Sequence, residues 1–310
     1  MSSMGMEHGM GQPPPFAWSH VGMTAFSWLG LAVIVGVGLL YAIGSVRWSS
    51  GRPGAPWSMK RTACFMVGLA IVLVATQSVV GVYDMVLFSD HMIQHLLLIM
   101  VAAAFFAMGA PLELALGTIP GPLGRWLNRA AGSKVGEVLG HPMVGFGAYA
   151  LFIPVTHLTS LFNLMLTHMW VHRAEQVGFL LIGYLFWRPV VAIEPSRHRL
   201  APGLRLVYLA LAVPVDTFTG LALAMSGHEM FPAYSAMHRS GGGSLIGDLH
   251  AGGSLMWIGG DLLMMGAMIP IAVLWMRDEE AKARRIDAEL DAQAANDLDG
   301  RGIASDIVVG

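Results

Sequence analysis

Cysteine is nearly missing from this sequence: Cys64 is the only one in 310 residues. An internal disulfide and a CxxC metal or redox motif are therefore both excluded. Cys64 follows Lys60 and Arg61 at the start of an apolar run and reads as a small packing residue. Charge is the second scarcity. Asp, Glu, Lys and Arg together make up 12 % of the chain, about half the share of an ordinary soluble domain. With a net charge of −2 there is no basic face for nucleic acid. Residues 1–20 contain no Lys or Arg, so the positive region that opens a cleavable signal is lacking. Soluble-enzyme motifs are missing too: there is no phosphate-binding glycine loop, no GxSxG elbow and no HExxH. The glycine triplet at 241–243 reads as linker.

Apolar residues are what the chain has in quantity, at 55 % with a mean hydropathy of +0.60. Seven apolar runs approach the ~20 residues that cross a bilayer. The pattern predicts helices at about 22–44, 62–82, 87–108, 141–160, 168–190, 203–225 and 250–276. The expected class is all-α, a polytopic membrane protein with seven transmembrane helices. Residues 1–20, Gly-, Pro- and Met-rich, are expected to be a flexible extracytoplasmic tail and 21–276 the membrane domain. Residues 277–310 are expected to form a charged cytoplasmic helix and a disordered end.

Basic residues stay on the cytoplasmic side of a membrane protein. Sixteen of the eighteen lysines and arginines fall in the first, third and fifth connections and the C-terminal tail, leaving only Arg173 and Arg239 on the other side. This distribution predicts the N-terminus outside and the C-terminus inside. The twelve histidines sort the opposite way: only His141 and His198 fall inside. A packed histidine has no reason to prefer one leaflet, whereas a metal or haem site on the outer face produces this bias.

The outer histidines are also spaced for chemistry. His91 and His95 are i and i+4 at the start of the third run, on one helical face. His168, His172 and Glu175 share a face of the fifth. His250 opens the seventh, just after Asp248, and His157 lies at the outer end of the fourth. Buried without partners, so many polar rings are costly in lipid. A bound metal or a wet cavity removes that cost. Imidazole suits zinc, copper and iron alike. The 22 methionines favour copper: Met92 and Met169 lie within the histidine pairs, and Met225 and Met256 lie at outer helix ends. Met4, Met6, His8 and Met10 alternate along the N-terminal tail in a pattern suited to copper capture. Two acids, Asp216 and Asp261, fall mid-membrane, and Glu113 lies near an inner helix end. They read either as a relay or ion path or as structural acids paired between helices.

Five stretches, HMIQH (91–95), GAP (109–111), LFWRP (185–189), FPAY (231–234) and DLHAGGSLMW (248–257), resemble the Bacillus-type CtaG family of cytochrome c oxidase assembly factors. The resemblance covers the chain from the second helix to the seventh. It implies a seven-helix integral membrane protein of the bacterial plasma membrane that matures a haem–copper oxidase at a copper centre without catalysing a reaction. His91, His95, Asp248, Gly252 and Gly253 are the positions it carries over. His250 and the Met/His tail are not general features of the family. The resulting expectation is copper held at the outer face by His91, His95, His168, His172 and His250. Asp248, Glu175, His157, Met92 and Met256 would support that site, and oxidase subunits would receive the metal. The alternatives are a transporter of copper or another solute through Asp216 and Asp261, and a bis-histidine haem protein.

Overall fold

A computed structural model describes residues 22–235 and 244–308, with side chains to residue 293. In chain order the helices are α1 (Trp28–Gly51), α2 (Met59–Gln77), α3 (Val80–Tyr83) and α4 (Phe88–His95). A π-helical stretch (Leu96–Ala102) then leads into α5 (Ala103–Gly109) and α6 (Pro111–Thr118). Short helices α7 (Gly121–Ala131) and α8 (Lys134–Leu139) lead to α9 (Pro142–Leu158), α10 (Leu161–Thr167), α11 (Met169–Val191), α12 (Pro202–Ala224), α13 (Pro232–Ser235) and α14 (Leu245–Val308). There are no strands among the described residues.

Five segments are long and apolar enough to cross a membrane: Trp28–Gly51, Met59–Tyr83, Phe88–Thr118, Pro202–Ala224 and Leu245–Gln293. Helices α9 and α10, bent 69° apart, make a sixth if they form one span. Helix α11 has 23 residues but falls short of the same apolar standard, because His172, Arg173, Glu175 and Gln176 sit together in its first turns. Outward-facing Leu40, Leu151, Phe218 and Ile269 are more than half exposed, a surface that lipid, not water, would solvate. The C-terminal helix runs to Val308, past the point where the sequence was expected to lose order. Its Ala-, Glu- and Arg-rich composition favours helix without help from packing.

Two devices set the position of α4. Its N-cap, Leu87, has no side-chain acceptor. Asp248 supplies one from α14: it accepts from Phe88 N at 2.8 Å, Ser89 N at 3.2 Å and Ser89 Oγ at 2.5 Å. A carboxylate at a helix N-terminus satisfies orphan N–H groups and opposes the helix dipole. Gly252, one turn later, faces the Phe88 ring so closely that a Cβ would strike it. Helices α12 and α14 pack along their length. At Gly253 an added Cβ would lie 2.6 Å from Ala224 N and 2.7 Å from Gly220 O, the close approach that small residues permit in membrane bundles.

The π-helical stretch begins directly after His95. Its wider turn frees the Ile99 carbonyl, which accepts from Trp187 Nε1 at 3.0 Å. This contact holds α11 beside the helix that carries His91 and His95. Past it the helix breaks at Ala110, where the left-handed φ of 50° lets Pro111 start α6 in a new direction. The Glu194 carboxylate caps that new start at Leu112 N, 3.0 Å away. Starts of α4, α11 and α14 thus meet the ends of α9 and α12 at one end of the bundle. Arg61–Glu113 and Arg188–Glu194, both at 2.9 Å, lie at the other.

Candidate metal centre

The buried end of the bundle holds three imidazoles around one carboxylate. Glu175 reaches from α11 towards the α4 pair. Its Oε1 is 3.3 Å from His95 Nε2 and its Oε2 is 3.7 Å from His91 Nε2. His172 Nδ1, from the preceding turn of α11, is 3.5 Å from Oε2. All four side chains are buried. Donor atoms of His91, His95 and Glu175 lie within 4.8 Å of one another.

None of these inward atoms makes a hydrogen bond: His91 Nε2, His95 Nε2, His172 Nδ1 and both Glu175 oxygens are unpartnered. Two ligands each ~2.1 Å from a tetrahedral ion stand about 3.4 Å apart. The three imidazole-to-Glu175 distances, 3.3–3.7 Å, are close to that spacing, and His91, His95 and Glu175 are the set whose donors all lie within 4.8 Å of one another.

Outer partners fix each ring so that its other nitrogen faces inward. His91 Nδ1 is 3.1 Å from the Asp84 carbonyl, which can only accept, so Nδ1 carries the hydrogen. His172 Nε2 donates to Asp84 Oδ2 at 3.1 Å. His157 Nδ1 donates to Ile153 O at 2.8 Å, leaving its Nε2 to accept from His95 Nδ1 at 3.0 Å. Asp84 is held in turn by Gln94, whose Nε2 donates to Oδ2 at 2.6 Å. Gln176 closes the network: its amide nitrogen donates to Gln94 Oε1 at 3.1 Å and sits 3.0 Å from His172 Nε2. Tyr234 OH donates to the Asp84 carbonyl at 3.3 Å. A carboxylate or carbonyl behind a ligating imidazole is the usual outer arrangement of a metal site; His91 and His172 have one, and His95 has the His157 imidazole in its place.

The sequence-predicted residues divide around this cluster. His91, His95, His172 and Glu175 form it, and His157 backs it. His168 is outside: it is exposed and extended at the N-cap of α11, with Nδ1 2.9 Å from Thr167 Oγ1. The expected i, i+4 pairing with His172 requires both residues to be helical, and the helix begins one residue later. His250 is also apart, its Nε2 donating to the Ser226 carbonyl at 2.8 Å across the α12–α14 contact. Asp248 acts as the α4 cap.

Met92 and Met256 are buried and line a void of about 10 Å³ with Met100, His95, His157 and Asp216. That is room for about one water. Met169 and Met225 are exposed. Asp216 is buried, whereas Asp261, whose Oδ2 accepts from Thr217 Oγ1 at 2.8 Å, is partly so; neither enters the imidazole cluster. Met4, Met6, His8 and Met10 lie outside the described residues.

Sequence reasoning missed Asp84, the residue that orients two of the three rings. An acid between two apolar runs, in VGVYDMVLF, was the available signal.

Curated relatives include uncharacterised proteins of Mycobacterium leprae, 28 % identical over 86 % of this chain and 41 % of the relative, and of Mycobacterium bovis and Mycobacterium tuberculosis, each 28 % identical over 92 % of this chain and 44 % of the relative. The chain therefore spans less than half the length of these relatives. No solved structure matches it. The sequence profile of the cytochrome c oxidase caa3 assembly factors matches residues 39–278, more than three quarters of the chain, and the protein belongs to that family.

Proposed function

We propose that this protein binds copper between α4 and α11 and helps load it into a haem–copper cytochrome c oxidase, without catalysing a reaction. The observation that carries the reading is the set of buried donors on His91, His95 and Glu175, all within 4.8 Å of one another, with His172 Nδ1 3.5 Å from the same carboxylate. Leaving five polar atoms buried and unsatisfied is costly; a metal ion satisfies them together. Family membership supplies the oxidase as acceptor.

In this reading α11 is the seventh span. Its 23 residues extend about 35 Å, enough for a hydrocarbon core of about 30 Å, and its polar first turns face the other helices. Sixteen of the eighteen basic residues then lie inside and the candidate metal cluster near the extracytoplasmic leaflet of a bacterial plasma membrane. The tail methionines Met4, Met6 and Met10, with His8, capture copper outside, and a tighter site on the oxidase draws it onward.

Haem ligation by the same rings is disfavoured by packing. His91 and His95 stack edge to face at 4.1 Å between centroids, and the neighbouring void has water-sized room. A cavity of about 630 Å³ lies towards the opposite end, among Trp126, Leu127, Tyr184 and Arg197.

The test is complementation of a deletion strain with the His91→Ala/His95→Ala double variant. Wild-type chain restores oxidase copper and activity, and the double variant, present at equal level in the membrane, does not. Full restoration by the variant overturns the proposal.

A further inference from the structure

We infer that the site between α4 and α11 is built for a divalent cation, so that copper is held there as Cu2+ and not as Cu+. This rests on the metal-holding reading above and adds the oxidation state to it. Charge is the first argument. Glu175 and Asp84 are both buried, and their ion-pair partners among the described residues are the imidazoles of His91, His95 and His172 alone. Among the described residues no lysine or arginine side chain pairs with either acid. An imidazole that ligates a metal does so through a deprotonated nitrogen and is neutral, so around a bound ion the two carboxylates are the charged members of this group of side chains. Buried charges persist when neutralised locally. A divalent ion cancels both, whereas a monovalent ion leaves one uncompensated.

Donor chemistry is the second argument. Three imidazole nitrogens and a carboxylate oxygen form a borderline-to-hard set, while Cu+ selects thiolate and thioether sulfur. The nearby thioethers of Met92, Met100 and Met256 line the separate small void beside His157 and Asp216. Behind His95 stands an imidazole, not a sulfur. Zn2+ suits the same donors, with Cu2+ the stronger binder by the usual order of divalent affinities.

The full chain, purified metal-free in detergent, is titrated with Cu2+ and Zn2+ in air and with Cu+ under anaerobic reduction, each against a chelator of known affinity. The expected result is one Cu2+ per chain, displacing Zn2+, with electron paramagnetic resonance showing coupling to three nitrogens. Cu+ binds more weakly than Cu2+ by more than about tenfold. Glu175→Gln, which keeps the side-chain shape, lowers Cu2+ affinity by more than about tenfold and changes that for Cu+ far less. Cu+ affinity equal to or above that for Cu2+, or a Cu2+ spectrum unaltered in Glu175→Gln, overturns the inference. The two readings fail separately. Tight Cu+ binding together with lost oxidase maturation in the double-histidine variant removes only the oxidation state. Cu2+ bound as described in a protein whose double-histidine variant still matures the oxidase removes only the assembly role.

Discussion

The Asp84 carboxylate accepts the Nε2 hydrogen of His172 at 3.1 Å, and so turns the bare Nδ1 of that ring towards Glu175. The two residues are 88 positions apart in sequence. Through its main-chain carbonyl the same Asp84 also receives His91 Nδ1 at 3.1 Å. One acid between α3 and α4 thereby orients candidate ligands from two helices. Asp84→Ala removes only the side-chain half of this: His91 keeps its carbonyl partner, and His172 is freed to rotate. Metal affinity is expected to fall about 10- to 100-fold, the usual cost of losing an outer partner of a ligating imidazole. Chelator competition on the purified variant measures it, and unchanged affinity would show that His172 is not a ligand.

His157 acts on His95 in the same manner but with a nitrogen acceptor. Its Nε2 is bare because Nδ1 is committed to the Ile153 carbonyl. His157→Ala is expected to weaken metal binding about 10- to 100-fold. His157→Gln, whose Oε1 can accept from His95 Nδ1, restores most of the loss. Equal loss in both variants would mean that His157 serves by packing and not by orienting His95.

Asp248 is separated from the metal cluster by a turn of α4, yet it secures that helix through three hydrogen bonds to Phe88 and Ser89. Replacing a capping acid by alanine costs about 1 kcal/mol, up to about 2. Asp248→Ala therefore lowers the melting temperature of the detergent-solubilised protein and reduces metal occupancy in parallel. Melting unchanged with metal lost would assign Asp248 a direct place at the ion.

Asp216 borders the small void behind His95 and His157 but does not join the donor set. Asp216→Asn is expected to leave metal stoichiometry and affinity as in wild type. A deficit in bound copper in this variant would extend the metal's route into the middle of the bundle and revive transport as the function.

Much of this arrangement was legible from residue spacing. His91 and His95 share a face because both lie inside α4, and His172 and Glu175 do so inside α11. The predicted helices at 62–82, 87–108, 141–160, 168–190 and 203–225 lie within a few residues of structural ones, whereas the last, predicted at 250–276, belongs to a single helix from Leu245 to Val308. What spacing could not show are the contacts that depend on where a helix starts or on what lies across the bundle. His168 loses its place because α11 begins at Met169. His250 turns to the Ser226 carbonyl, just past the end of α12. Asp84 gains its role only when α11 is brought beside α3 and α4, and no local pattern encodes that approach. The π-helical turn after His95 is likewise silent in a run of Leu, Ile, Met and Val, whose apolar character suits either helix type.

The most direct test is elemental analysis of the purified full chain after exposure to excess copper and desalting, for wild type and for His91→Ala/His95→Ala side by side. One copper per wild-type chain and none in the folded double variant is the predicted result. The same copper content in both proteins would contradict it.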